Sequence, residues 1–138
     1  MTTLFAFPYR PVPIPGGVAR VPLMPLRLYN GAAWPDVDGL IDSGAAVSVL
    51  PFDMGARLGL DWDAEPLSIR LTGNLASQPA KAIILTAEAN GFAPVRLSFA
   101  WSRMTGIPLL LGQTNFFDEF DICFRRTRGQ FTVAPRTP

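Results

Sequence analysis

Histidine is absent from the 138 residues, and Cys123 is the one cysteine. Ser-His-Asp and Cys-His catalysis, and any histidine-ligated metal site, are removed with it. No intrachain disulfide can form. Chemistry is left to carboxylates, and one of them stands in an unusual place. In the stretch Gly39-Leu40-Ile41-Asp42-Ser43-Gly44-Ala45-Ala46-Val47-Ser48-Val49-Leu50, Leu40 and Ile41 read as the end of a buried strand. Asp42 follows where a core strand would continue with another hydrophobe. Gly44 lets the backbone turn sharply and approach another segment or a ligand closely. Val47, Val49 and Leu50 then rebuild a β-prone core segment.

Such a carboxylate has two readings. Asp42 caps a turn, accepting hydrogen bonds from the amides of residues 43–45, or it is one half of a catalytic aspartate pair. The elements around it bear on the choice. The charged fraction is low at 17%, and 49% of residues are hydrophobic, so the chain is globular, with length enough for one domain, 1–138, and a real core. Fourteen prolines and twelve glycines favour many short strands over long helices. A net charge of +1 gives no electrostatic case for nucleic acid. Arg125, Arg126 and Arg128 cluster, as a solvated edge or turn would. Cys123, in the alternation Ile122-Cys123-Phe124, reads as an inert packed or edge thiol. No stretch is apolar and long enough to span a membrane, and no signal peptide is visible, so a cytoplasmic location is expected.

In chain order, residues 1–20 carry Phe5, Phe7, Tyr9 and prolines at 8, 11, 13 and 15. This predicts an N-terminal arm or edge strand. A strand over 21–29 ends at Asn30-Gly31, a hairpin signal, and 34–41 is the return strand. Residues 51–58 predict a short helix, with proline in the first turn and Gly59 at the stop. Strands follow at 67–71 and 82–87 around a loop of small and polar residues. Asn90-Gly91 predicts a second hairpin, pairing 83–89 with 95–101. Ile107-Pro108-Leu109-Leu110-Leu111-Gly112 is another apolar run ending in glycine. A short helix with Phe116, Phe117 and Phe120 on one face should follow. Strands at 122–125 and 130–133 close the chain around Gly129. Strand, glycine turn and short helix thus occur twice, at 40–58 and 109–120.

That echo, with Asp42-Ser43-Gly44-Ala45 after Leu40-Ile41 and Leu110-Leu111-Gly112 before a helix, resembles the retropepsin-like aspartic proteases, over roughly residues 20–134. The resemblance implies a mostly β fold, a closed barrel equal to half of an acid protease, with two short helices. It implies a homodimeric aspartic endopeptidase without cofactor or metal, acting on peptide or protein, with no nucleic-acid or membrane partner. Carried over, Asp42 is the catalytic aspartate. Ser43 is the hydroxyl residue that bonds across the dimer, and Gly44 and Ala45 complete the active-site loop. Leu110, Leu111 and Gly112 form the second loop, through which the first is threaded. The region of Thr72, Gly73 and Asn74 is the flap. The sequence departs from retroviral members at Ala46 and Val47, where they carry acidic residues, and at Gln113, where they carry arginine. The segment 51–66 is also longer, which looks more like bacterial and cellular members.

Hydrolysis without a covalent intermediate needs a water made nucleophilic and a leaving amine protonated, and two carboxylates sharing one proton do both. The sequence has a single Asp-Ser/Thr-Gly, and Asp118 and Asp121 read as surface charges. The second carboxylate must then come from another copy of the chain, across a two-fold axis. Ala46, Val47, Val49 and Ile107 would favour apolar substrate side chains. Two other readings stay open: a retropepsin-like module that binds peptide or protein with little cleavage, and an unrelated β-barrel in which Asp42 merely caps a turn.

Overall fold

A computed structural model describes residues 4–31, 36–65, 68–70, 78–89 and 91–137. Its elements in order are β1 (Phe5–Pro8), β2 (Arg10–Ile14), β3 (Gly17–Val21), β4 (Leu23–Tyr29), β5 (Val37–Ile41), β6 (Ser48–Leu50), α1 (Phe52–Arg57), β7 (Ser68–Arg70), β8 (Pro79–Glu88), β9 (Val95–Ser102), β10 (Leu109–Leu111), α2 (Phe116–Glu119), β11 (Phe120–Arg125) and β12 (Gln130–Pro135). Six strands close on themselves in the order β4-β5-β10-β6-β9-β8 and back to β4. Closure depends on the length of β8. One of its edges pairs with β9 from Ala80 to Ala87, while the other takes β7 at Pro79 to Lys81 and β4 at Thr86 to Glu88. The expected mostly β closed barrel with two short helices is therefore the observed one.

Strict alternation fills the barrel. Met24, Leu26 and Leu28 on β4, and Leu97, Phe99 and Trp101 on β9, point into one core, with polar or small residues between them. That core is shared with the small sheet β1-β12-β11, through Phe131 and Val133 of its central strand. Trp101 is fully buried, stacks on Phe52 with ring centroids 5.5 Å apart, and donates its indole N–H to the Phe52 carbonyl at 3.1 Å. An aromatic side chain of this size removes about 200 Å² from water, roughly 5 kcal/mol of transfer free energy. This anchors α1 on the barrel wall. Gly55 belongs to the same contact, because a Cβ there would run into the Trp101 indole.

Three details differ from the sequence expectations. The N-terminal segment is an edge strand only in part: β1 pairs with β12, but β2 and β3 form a separate two-stranded hairpin. Pro15-Gly16 turns it, with Gly16 at φ +84°. The prolines do keep β2 out of any larger sheet, as their missing N–H groups require. Pro22 splits the predicted strand 21–29, so that β4 starts at Leu23. Helix α2 stops at Glu119, and Phe120 opens β11 with its ring still in the core. Cys123 is exposed on β11, an outer strand of the small sheet. Arg125, Arg126 and Arg128 lie exposed at the turn before β12. Among the described residues no helix is long and apolar enough to cross a membrane.

Candidate active site

Asp42 is the first residue past β5, and the barrel holds that strand end from both sides. The Ile41 amide donates to the Pro22 carbonyl at 3.0 Å, and the Asp42 amide to the Leu111 carbonyl at 3.0 Å. β5 and β10 run parallel, with Gly39, Leu40 and Ile41 opposite Leu109, Leu110 and Leu111. Gly39 is required there because a Cβ would lie 2.6 Å from Leu111 Cδ1. The ladder cannot continue past Ile41, since the chain turns at once. The Ala45 amide donates to the Asp42 carbonyl at 3.1 Å, and the Gly44 amide to Asp42 Oδ1 at 2.9 Å. The turn-capping role is thus real. It occupies one carboxylate oxygen, and Oδ2 has no protein partner among the described residues.

β10 sits between β5 and β6, so the loop joining those two strands must cross over the end of β10. The crossing is a ladder of its own. Gln113 and Thr114 donate their amides to the carbonyls of Ala45 and Ala46 at 2.8 and 2.9 Å, and Ser48 returns its amide to the Thr114 carbonyl at 3.2 Å. Gly112 lies under the crossing, where a Cβ would stand 2.5 Å from the Val47 carbonyl oxygen and 2.8 Å from that of Ala45. Neither backbone oxygen can yield, so the glycine of the second motif is a steric necessity. Asp42, Ser43, Gly44 and Ala45 are brought together with Leu110, Leu111 and Gly112, the two loops that the resemblance sets side by side. Thr72, Gly73 and Asn74 lie outside the described residues.

Three side chains lock this arrangement without having stood out in the sequence for that role. Ser48 is fully buried, and its Oγ accepts the Gly112 amide at 3.0 Å. Gln113 donates its side-chain N–H to the Ser43 carbonyl at 2.7 Å. Asn115 bonds the backbone of β9 twice, accepting from the Ser98 amide at 2.8 Å and donating to the Arg96 carbonyl at 2.9 Å. The clue for Ser48 was its parity: a hydroxyl on the core-facing side of a strand needs a partner.

The opposite parity gives the outer wall beside Asp42. Leu40, Leu110, Val49, Ala100 and Ala82 are successive cross-strand partners on β5, β10, β6, β9 and β8. This row faces away from the main core. Val49 and Ala100 bury against Ala80, with Val47, Ile107 and Leu110 packed around them. The five residues of the row carry no charge. Asp42 therefore stands at the rim of an uncharged strip, on a loop whose backbone is tied down. Among the described residues no three His, Cys, Asp or Glu side chains are grouped to hold a metal ion.

A solved structure of a retropepsin-like aspartic protease from Rickettsia conorii superimposes with a TM-score of 0.63, over 98% of this chain and 94% of that one. The fold is retropepsin-like. The two sequences are 15% identical, so the likeness is one of architecture. No protein-family model matches the chain, and no curated protein does.

Proposed function

We propose that the chain is an aspartic endopeptidase working as a homodimer, with Asp42 of each copy forming the catalytic pair. The reading rests on one observation above all: Asp42 is half-exposed at the end of a buried strand, fixed by two backbone hydrogen bonds, with one carboxylate oxygen capped and the other open. Ser43 and Gly44 beside it are exposed, which supports a loop that a second copy can reach. In the paired site one carboxylate takes a proton from water while the other donates one to the scissile carbonyl oxygen. The substrate lies extended along the outer wall, with main-chain hydrogen bonds for affinity and alternate side chains in pockets. The uncharged row through Leu40, Leu110 and Val49 supports a preference for apolar side chains. A single-domain protein acting in the cytoplasm completes the reading.

Asp42→Asn is the decisive variant. Asparagine keeps an oxygen for the Gly44 amide, so the turn persists and the circular dichroism spectrum should not change. Cleavage of an apolar peptide should fall by about a hundredfold or more, the usual scale of losing an acid–base group. A variant as active as the parent would remove Asp42 from the chemistry.

A further inference from the structure

The β2–β3 hairpin has no task inside the barrel. It forms a two-stranded sheet of its own, ten residues in its two strands joined by Pro15-Gly16. The segment Pro11-Val12-Pro13-Ile14-Pro15-Gly16-Gly17-Val18 carries no charged side chain and no side-chain hydrogen-bonding group. Ile14 is 47% exposed and Val18 65%, two of the most exposed large hydrophobic residues described. Its root, by contrast, is fixed. Arg10 grips Asp38 of β5 with both guanidinium nitrogens, at 2.5 and 3.1 Å, and Arg126 donates to the Arg20 carbonyl at 3.2 Å. A bidentate pair of this kind sets an orientation as well as an attraction. The root also stands beside Asp42: Leu23 pairs with Leu40, and the Pro22 carbonyl accepts the Ile41 amide. An apolar tip on an anchored base thus rises from the barrel end that holds the carboxylate.

We infer that this hairpin is an arm that packs on a second copy of the chain and supplies much of the dimer's contact. The inference rests on the homodimeric reading above, in which that barrel end faces its twin. A stable interface takes about 20–30 residues a side and buries about 800 Å² on each. The exposed loop around Asp42 and Ser43 is far short of that, and Gln113 spends its amide within its own chain. The hairpin, which runs into β4 beside the Pro22 carbonyl that holds Ile41, is an exposed apolar surface adjoining that loop and able to add to it. A bilayer is the poorer occupant, because a tip seated in lipid would turn the Asp42 end toward the membrane and close it to an extended peptide.

The test is sedimentation equilibrium of the parent and of the doubly substituted chain, Ile14→Ser with Val18→Ser, both sites being exposed enough to leave the fold intact. The expected result is a dimer dissociation constant raised at least about tenfold, with the far-ultraviolet spectrum unchanged and specific activity recovered at high concentration. Single substitutions serve as the second measurement should the double variant misfold, each with an intermediate shift. A parent that dimerises with unchanged affinity after substitution overturns the arm while leaving the paired site standing. A parent that stays monomeric at high concentration overturns the homodimer and the arm with it. Loss of binding to phosphatidylserine vesicles, with dimerisation untouched, assigns the tip to a lipid surface and also overturns the inference.

Discussion

At the scale of the residue, the loop is held by atoms that do no chemistry. The Gly112 amide is buried beneath the crossing, and the Ser48 hydroxyl is its acceptor. Ser48→Ala leaves that donor unpaired without opening a sizeable cavity, which should lower the unfolding free energy by about 1–3 kcal/mol. Urea denaturation reads it directly, and an unchanged midpoint would mean that water or a shifted backbone takes over. Asp42 was legible as a candidate from type and placement, because a carboxylate that interrupts an apolar run either caps a turn or serves a site. Gln113 was visible as a departure from the retroviral pattern, yet its bond to the Ser43 carbonyl joins residues 70 apart. No local pattern encodes such a pairing. It follows from the parallel register of β5 and β10, which only the folded barrel sets.

At the scale of the element, alternation and turn chemistry located most strands, and closure determined the rest. β8 and β9 read clearly because each alternates over a long run between turn residues. β6 and β10 span Ser48–Leu50 and Leu109–Leu111, too short for periodicity to speak. They are strands because their neighbours supply the ladders. The β2–β3 hairpin was hidden for a different reason: proline correctly excluded a central strand, but proline followed by glycine also makes a turn, and that second meaning was the operative one. Helix α1 offers a test in which two effects oppose. Alanine in place of a helical glycine ordinarily gains up to about 1 kcal/mol. At Gly55 the added methyl meets the Trp101 indole, and overpacking costs about 1–3 kcal/mol. Gly55→Ala should therefore lower the melting temperature; a rise would show that α1 can slide off the wall.

For the whole molecule, the paired reading has a consequence that needs no structure of the pair. Each copy carries one Asp-Ser-Gly, so an active unit needs two intact chains. Parent mixed with an equal amount of Asp42→Asn and allowed to re-equilibrate should keep about a quarter of the activity of the same total amount of parent, as random two-fold pairing requires. Half would remain if each chain worked alone. Specific activity should likewise fall on dilution through the dissociation constant of the dimer. The architecture was legible at this scale because two motifs in the right order constrain a fold more than either does alone. The projecting hairpin was not, since nothing in its composition distinguishes an arm packed on its own barrel from one held out beside it.

The crossing of the Asp42 loop over β10 also governs when the site comes into being. Asp42 leaves the ribosome long before Gly112 and Gln113, and until those residues arrive the loop has neither its ladder nor the bond to Ser43. A nascent or prematurely terminated chain holds the carboxylate and its local turn but not the crossing that ties the loop to β10. On the proposed reading, hydrolysis would have to wait until Gly112 and Gln113 have been made, an order set by the chain itself.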